Sequence, residues 1–397
     1  MPPRLNLALT KSIFRRRLTT STIKKRFTIL GIETSCDDTS CAIVTSDAAI
    51  LAESTISQYK VHEPMGGIVP NLALKHHIKN LPYVVSDVLK KANKSISDMD
   101  AIAFTRGPGL PSSLSVGLNA SKTLAAALNK PLIGVHHMEA HALTVRLSEY
   151  EKVEFPYLCF LISGGHTQIV VVKGVGDYKL LGETLDESIG EAYDKVARVL
   201  SLPWNQPIEK EGFLAKENII GGGPGPALEM KARNGNKEKY QFTIPMNDMH
   251  RRSSIAFSFS GLRTQVSTFV KNKMDQIEDN DKEQFKADIA ASFQFTVVEH
   301  LKQKLRLGFK ECEKLNIRPK SLVASGGVAS NLKVREGLNE IATENQIPLF
   351  CPPARLCTDN GVMIAWAGVE RYQLGLFDEY SIDFIPKWPL EDLKIKN

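Results

Sequence analysis

The chain has no CxxC pair and no apolar run approaching the roughly 18 residues that a membrane-crossing helix needs, so a zinc ribbon and a transmembrane protein are both excluded. Its six cysteines, Cys36, Cys41, Cys159, Cys312, Cys351 and Cys357, are scattered, which argues against a disulfide scaffold and fits a thiol-reducing compartment. Neither GxxxxGK(S/T) nor GxGxxG occurs, and that disfavours P-loop and Rossmann nucleotide sites. Acid is missing from the start of the chain, where no Asp or Glu precedes Glu33. The net charge of +6 therefore misleads: residues 1–26 alone contribute +8, and the rest carries −2. Any polyanion contact on the body must be a local patch. What remains is an ordinary globular composition, 43% hydrophobic and 24% charged over 397 residues, long enough for two packed domains.

Residues 1–26 are basic and rich in Ser and Thr, with Leu5, Leu9, Ile13 and Leu18 spaced as an apolar helical stripe. That is the make-up of a mitochondrial transit peptide and predicts a matrix location. A secretory signal would need an apolar core after the charges; a basic arm touching RNA is the other reading of the same residues.

The body begins at Phe27 and repeats itself. Strands are expected over 27–32, 40–44 and 50–56, and again over 157–162, 167–172 and 178–183. A strand over 101–105 runs into Arg106-Gly107-Pro108-Gly109, a helix over 112–128 and a strand over 132–135. The same order recurs at 322–324, Ser325-Gly326-Gly327, 331–344 and 348–350. The second half spaces these units about 90 residues wider, which calls for an inserted segment. The fold class is α/β, with a lobe over 27–150, a duplicate over 151–376 carrying the insert at about 203–290, a tail over 377–397, and a nucleotide cleft between the lobes.

Glycine loops at Gly107 to Gly109, Ser163 to Gly165, Gly221 to Gly225 and Ser325 to Gly327 adjoin strand ends or helix starts, where backbone N–H groups and a helix dipole suit an anion. Each is equally an ordinary tight turn. Glu187, Glu191 and Asp194 form a helical stripe that is either solvated or lines the cleft. Arg251, Arg252, Arg263, Lys237, Lys239, Lys271 and Lys273 offer solvated surface or phosphate contacts.

Three of nine histidines fall in His136-His137-Met138-Glu139-Ala140-His141. Four-residue spacing puts His137 and His141 one turn apart on one helical face, where both can reach a metal or form a structural pair. Glu139 lies about 200° around a helix from that face, so metallopeptidase chemistry, which needs its glutamate beside a ligand, is disfavoured. A third ligand must come from elsewhere, with Asp359 at a helix start and the pair His76-His77 as candidates; Asp359 also suits a helix cap.

Six blocks, Gly31 to Thr39, His136 to His141, Ser163 to Thr167, Phe257 to Leu262, Ser325 to Val328 and Cys357 to Gly361, resemble the tRNA N6-adenosine threonylcarbamoyltransferases in order and type, and the acid-free leader resembles that family's mitochondrial branch. The resemblance implies an actin-like, Hsp70-like two-lobed ATPase (ASKHA) fold. It implies one divalent metal per subunit on His137, His141 and Asp359, zinc or iron by donor type, with phosphate ligands also admitting magnesium. It implies substrate contacts at Leu161, Ile162, Ser163, Gly164, Gly165, Asp194, Gly225 and Asn331, the Gly225 position following an insertion at 205–218. The implied partners are tRNA, threonylcarbamoyladenylate or another adenine nucleotide such as AMP or ATP, and a second copy of the chain. A small-metabolite kinase of the same fold and a noncatalytic nucleotide-binding module are the competing functions.

Overall fold

The computed structural model describes residues 26–65, 67–203 and 223–393. The leader before Arg26, the insertion at 205–218, Gly221 and Gly222 lie outside the described residues. β-branched and apolar runs separated by short polar turns form the strands: β1 Thr28–Glu33, β2 Asp38–Thr45, β3 Ile50–Ser57, β4 Ala101–Gly107 and β5 Leu132–His136 in one sheet, β6 Tyr157–Ile162, β7 Thr167–Gly174, β8 Asp177–Glu183, β9 Leu322–Ser325 and β10 Leu349–Phe350 in the other. Their orders are β3-β2-β1-β4-β5 and β8-β7-β6-β9-β10. In each, the first strand runs antiparallel to its hairpin partner and parallel to the next unit. The duplication read from the sequence is thus present in pairing and in order.

The helices are α1 Tyr59–His62, α2 Pro70–Lys91, α3 Pro111–Leu128, α4 His137–Ser148, α5 Ile189–Val199, α6 Pro224–Ala232, α7 Ser260–Lys273, α8 Lys282–Lys314, α9 Leu332–Glu344 and α10 Gly361–Gln373. α2 and α3 cover one face of the first sheet through Leu81, Val84, Val88 and Leu118 against Leu30, Ile32 and Phe104. α5, α7 and α8 cover one face of the second through Val196, Val266, Phe293 and Val297 against Phe160 and Ile169. α4 lies between the lobes. Ala140, Leu143 and Leu147 join the first sheet's second core, while Met138, Ala142 and Val145 join that of Tyr157, Cys159 and Val170.

α10 follows the second lobe in sequence but packs on the first sheet, with Val362, Ile364, Ala365 and Val369 against Ile29, Ala42 and Ala103. The lobe boundary at 376 therefore does not describe where this helix sits: glycine permits its approach. A Cβ on Gly31 would stand 2.3 Å from the Ala365 nitrogen, and one on Gly361 would stand 2.5 Å from the Cys41 carbonyl carbon.

The tail is a strap rather than a loose end. Asp378 bridges to Leu132, the Ile385 N–H donates to the Arg106 carbonyl, and Leu390 and Leu393 enter the core beneath β6 and β7.

Candidate metal centre and cleft

β5 ends at His136, whose imidazole opens α4 by accepting the Met138 N–H at Nδ1 (3.1 Å). Its Nε2 lies 2.9 Å from the Trp388 carbonyl, which can only accept, so Nε2 carries the proton. Burial drives this imidazole down to about 3, and the ring stays neutral. The next turn presents His137 and His141 on one face, as the spacing requires. Their rings meet edge to face at 4.8 Å.

Asp359 closes the set from the far end of the chain. It does not cap α10: the Asn360 Oδ1 accepts the Met363 N–H and takes that role, leaving the Asp359 carboxylate turned to the histidines. Its Oδ1 lies 3.4 Å from His137 Nε2 and 3.0 Å from His141 Nε2, and the three ligand atoms fall within 4.8 Å of one another. A tetrahedral ion with ligands at about 2.1 Å needs donors about 3.4 Å apart, close to the carboxylate distances. His137 Nδ1 faces Glu33 Oε2 at 3.4 Å and Ser35 Oγ at 3.3 Å. Such a carboxylate behind a ligand imidazole fixes its tautomer and directs its other nitrogen to a metal. Burial opposes a charge on His137, but the Asp359 and Glu33 carboxylates outweigh it and raise the group to about 10; those same histidines hold Asp359 well below the usual carboxylate range against its own burial. The pocket is built for positive charge, and two imidazoles with one carboxylate suit a divalent ion.

Glu139 is buried and faces elsewhere. It accepts from Arg371 Nη1 (2.7 Å), the Tyr178 hydroxyl (2.9 Å) and the Gly176 N–H (3.0 Å), tying α4 to α10 and the β7–β8 turn. The angular argument against a metallopeptidase base is met by a side chain already fully used. His77, a candidate third ligand by sequence, is buried away from the two metal-helix histidines, with Nδ1 2.8 Å from Thr39 Oγ1 and Nε2 3.0 Å from the Cys36 carbonyl; it braces the loop after β1 and does not join the cluster of His137, His141 and Asp359. Helix α2 turns its inner face to β2, so His77 is buried while its neighbour His76 is half-buried.

The glycine loops divide. Gly107 to Gly109 is no anion cradle, because the strap fills it: Gly107 has φ +153° over the Ile385 carbonyl, and the Gly109 N–H donates to the Pro386 carbonyl. Ser163 to Gly165 is open among the described residues, with Gly164 and Gly165 exposed and no described atom within 4 Å of a Cβ on either. Ser163 Oγ accepts the His166 N–H and holds the turn. Leu161 and Ile162 send their side chains into opposite cores, so only their main chain is available to a ligand. Gly326, at φ +99°, rests on the Ile162 carbonyl, and its neighbour Gly327 approaches Thr358, the residue before the Asp359 ligand.

Asp194 and Gly225 meet: the Gly225 N–H donates to Asp194 Oδ1 at 3.0 Å. Burial raises the Asp194 carboxyl to about 6. Asn331 caps α9 by accepting the Val334 N–H, and its amide donates to Gln294 Oε1 at 2.9 Å. The other stripe acids are committed, Glu187 to Arg263 and Lys195 and Glu191 to Lys195. Two neighbours escaped the sequence reading. Glu33 sits in a quoted block but carries no ligand spacing. Glu229, buried and accepting the Leu332 N–H at 3.0 Å, follows Gly225 by one helical turn, and that spacing was the available signal.

The profile of the tRNA N6-adenosine threonylcarbamoyltransferase family matches residues 49–366. A protein of that name from Rhizobium etli is 41% identical over 373 residues, covering 91% of this chain and 94% of its own length. One from Gluconobacter oxydans is 42% identical over 368 residues, with 92% and 93% covered. Among solved structures, full-length HypF in a phosphate- and nucleotide-bound form superposes with TM-score 0.53 at 14% identity, covering 89% of this chain and 47% of that one. HypF from T. kodakarensis gives 0.51 at 13%, covering 88% and 48%. At that identity the likeness concerns architecture alone, and it agrees with a two-lobed actin-like ATPase fold.

Proposed function

We propose, because this chain belongs to the tRNA N6-adenosine threonylcarbamoyltransferase family, that it moves the threonylcarbamoyl group of L-threonylcarbamoyladenylate to the N6 amine of adenosine 37 in mitochondrial tRNAs reading codons that begin with A. The amine nitrogen bonds to the carbamoyl carbon, the bond from that carbon to the phosphate oxygen breaks, the amine loses a proton, and AMP leaves with the electron pair. No covalent bond to the protein forms. The observation that carries this reading is the convergence of His137, His141 and Asp359 beside the turn of Thr358 and Gly327, where the two lobes approach.

His137, His141 and Asp359 would hold the divalent ion, zinc or iron by donor type with magnesium as the alternative, and a bound ion supplies polarisation of carbamoyl and phosphate oxygens. The exposed main chain of Gly164 and Gly165 offers N–H groups to the phosphate. Asp194 and the Gly225 backbone orient the nucleotide, and Asn331 holds the start of α9 against it. The test is to incubate the purified chain with threonylcarbamoyladenylate and unmodified mitochondrial tRNA and to assay nucleosides by mass spectrometry. Absence of the modified nucleoside, with ATP-dependent phosphorylation of a metabolite instead, would hand the cleft to the kinase reading.

Asp194 gives the reading a pH signature. Its acid form dominates below about 6 and gives up acceptor capacity that the hydroxyls of a nucleotide ribose would need beside the Gly225 N–H. The KM for the adenylate is expected to rise several-fold from pH 7 to pH 5, and Asp194→Asn to raise it at pH 7 and flatten the profile. A wild-type KM that stays level across that range removes Asp194 from the nucleotide.

The chain is also proposed to work as a homodimer in the mitochondrial matrix. Ile78 and Tyr83 stand exposed on α2, with Ile68 and Val69 just before it, and are the apolar residues this end of the helix would offer to a second copy. A monomer in sedimentation velocity, or a tagged chain that stays outside mitochondria, would remove the corresponding part. No helix among the described residues is long and apolar enough to cross a membrane.

A further inference from the structure

The strap over 378–393 ties down at three places, and the middle one touches the residue that opens the metal helix. At its start Gly134 N–H donates to Asp378 Oδ2 (2.8 Å), Arg106 Nε donates to the Asp383 carbonyl (2.8 Å), and Lys122 Nζ donates to the Ile382 carbonyl (3.0 Å). At its end Leu390 and Leu393 are buried against Tyr157, Val170 and Met138, and Glu391 Oε1 accepts the Leu180 N–H at 2.9 Å. The first anchor belongs to the first lobe and the last to the second. Between them Trp388 lies against His136, ring centroids 4.7 Å apart, with Arg106 5.4 Å over the indole.

We infer that the strap, through Trp388 and His136, is a positioning device for the metal centre. This rests on the metal reading above. The chain of contact is short. The Trp388 carbonyl takes the proton of His136 Nε2, which leaves Nδ1 as an acceptor; Nδ1 takes the Met138 N–H and so fixes the first turn of α4. His137 belongs to that turn, and His141 follows one turn later. On its other side His137 is held by Glu33 and Ser35. The strand-to-helix junction is therefore clamped from both sides, by the loop after β1 and by the strap. Its orientation depends on residues 252 positions away in the chain. Histidine suits the clamp because one ring supplies an acceptor at Nδ1 and a donor at Nε2 on opposite edges. Asparagine can supply the helix cap but is too short to span to the strap as well.

The experiment titrates Co2+ alone into metal-stripped full-length protein and reads ligand-field absorption, beside threonylcarbamoyl transfer. Wild type, His136→Ala, His136→Asn, Trp388→Ala and a remote core variant, Val84→Ala, are compared. Loss of a partner hydrogen-bonded directly to a metal ligand costs about 10- to 100-fold in affinity, and His136 acts one contact further out, through the Met138 N–H, so the low end of that range is its ceiling. His136→Ala, which removes both hydrogen bonds, is expected to weaken Co2+ binding by about 10-fold; His136→Asn, which keeps the helix cap and loses the strap, and Trp388→Ala, which keeps the carbonyl and loses the indole that seats it against His136 and Arg106, by about 3-fold or more; and Val84→Ala not at all, although Val84→Ala lowers the melting temperature. Should His136→Ala fail to fold, His136→Asn, which keeps the helix cap and loses the hydrogen bond to the strap, decides the matter together with Trp388→Ala. Affinities within twofold of wild type for Trp388→Ala and His136→Asn, or an equal loss in Val84→Ala, would overturn the inference while leaving the metal reading intact. A wild-type chain that takes up no Co2+ would overturn both.

Discussion

His141→Ala lowers transfer to tRNA by at least about 100-fold while the protein keeps its fold and melts cooperatively. One of three protein donors is lost, and two donors cannot hold an ion against water with the affinity of three. The ring has no other polar duty among the described residues, where its Nδ1 is buried without a hydrogen-bond partner and only Nε2 is engaged, with Asp359. Removing it costs packing at one buried position, a loss of about 2–4 kcal/mol that a two-lobed protein of this size withstands. His137→Ala falls as far, and Glu33 keeps its other partners, the Ser35 N–H and the Thr105 hydroxyl. The contrast is Glu139→Ala on the same helix. That change leaves the buried Arg371 guanidinium without its carboxylate, destabilises by about 3–5 kcal/mol, and spares bound metal in the molecules that stay folded. Metal content and kcat/KM measured side by side separate the two outcomes. Near-normal transfer by both histidine variants in metal-free buffer would remove the metal from the reaction.

Gly31→Val prevents the chain from reaching its native state or costs more than about 3 kcal/mol, detected as insolubility or as a fall of many degrees in Tm. The added Cβ alone would sit 2.3 Å from the Ala365 nitrogen, 2.6 Å from the Gly361 carbonyl oxygen and 2.7 Å from Ala365 Cα, all of them helix backbone. A side chain can turn aside, but a helix backbone must move as a body. α10 is also buried on nearly every side, so its displacement unpacks Val362, Ile364 and Val369 from the first sheet. Asp359 lies two residues before α10, and any fraction of Gly31→Val that folds is expected to bind metal poorly. Gly174→Ala is the control: nothing lies within 4 Å of its Cβ, and Tm should hold to within a degree or two. Full stability of Gly31→Val would show that α10 does not dock on β1 as described.

The same docking marks the limit of what spacing conveys. The strands and the helices α3 and α9 were legible to within two or three residues because each reflects its own neighbours: β-branched residues at β1, β2 and β7, the apolar run at β6, the glycine turn before α9, the four-residue step from His137 to His141; α2 and α8, the two longest helices, were not read from the sequence. The repeated order of strand, turn and strand was enough to foresee two sheets of one topology. The third ligand was not readable from spacing. Asp359 stands 218 positions from His141, and a carboxylate before a helix looks like a cap until the structure gives that role to Asn360. The Gly107 loop read as an anion site because glycines and a helix start were all that was visible locally; only the returning strap revealed what fills it. Periodicity is set by bonds between near neighbours, and so the sequence alone determined the strands, their duplication and the pair of imidazoles. Which carboxylate faces that pair, and which backbone occupies a loop, depends on α10 and the strap crossing back to the first lobe. That crossing is decided by close packing over the whole molecule, and it came only with the tertiary structure.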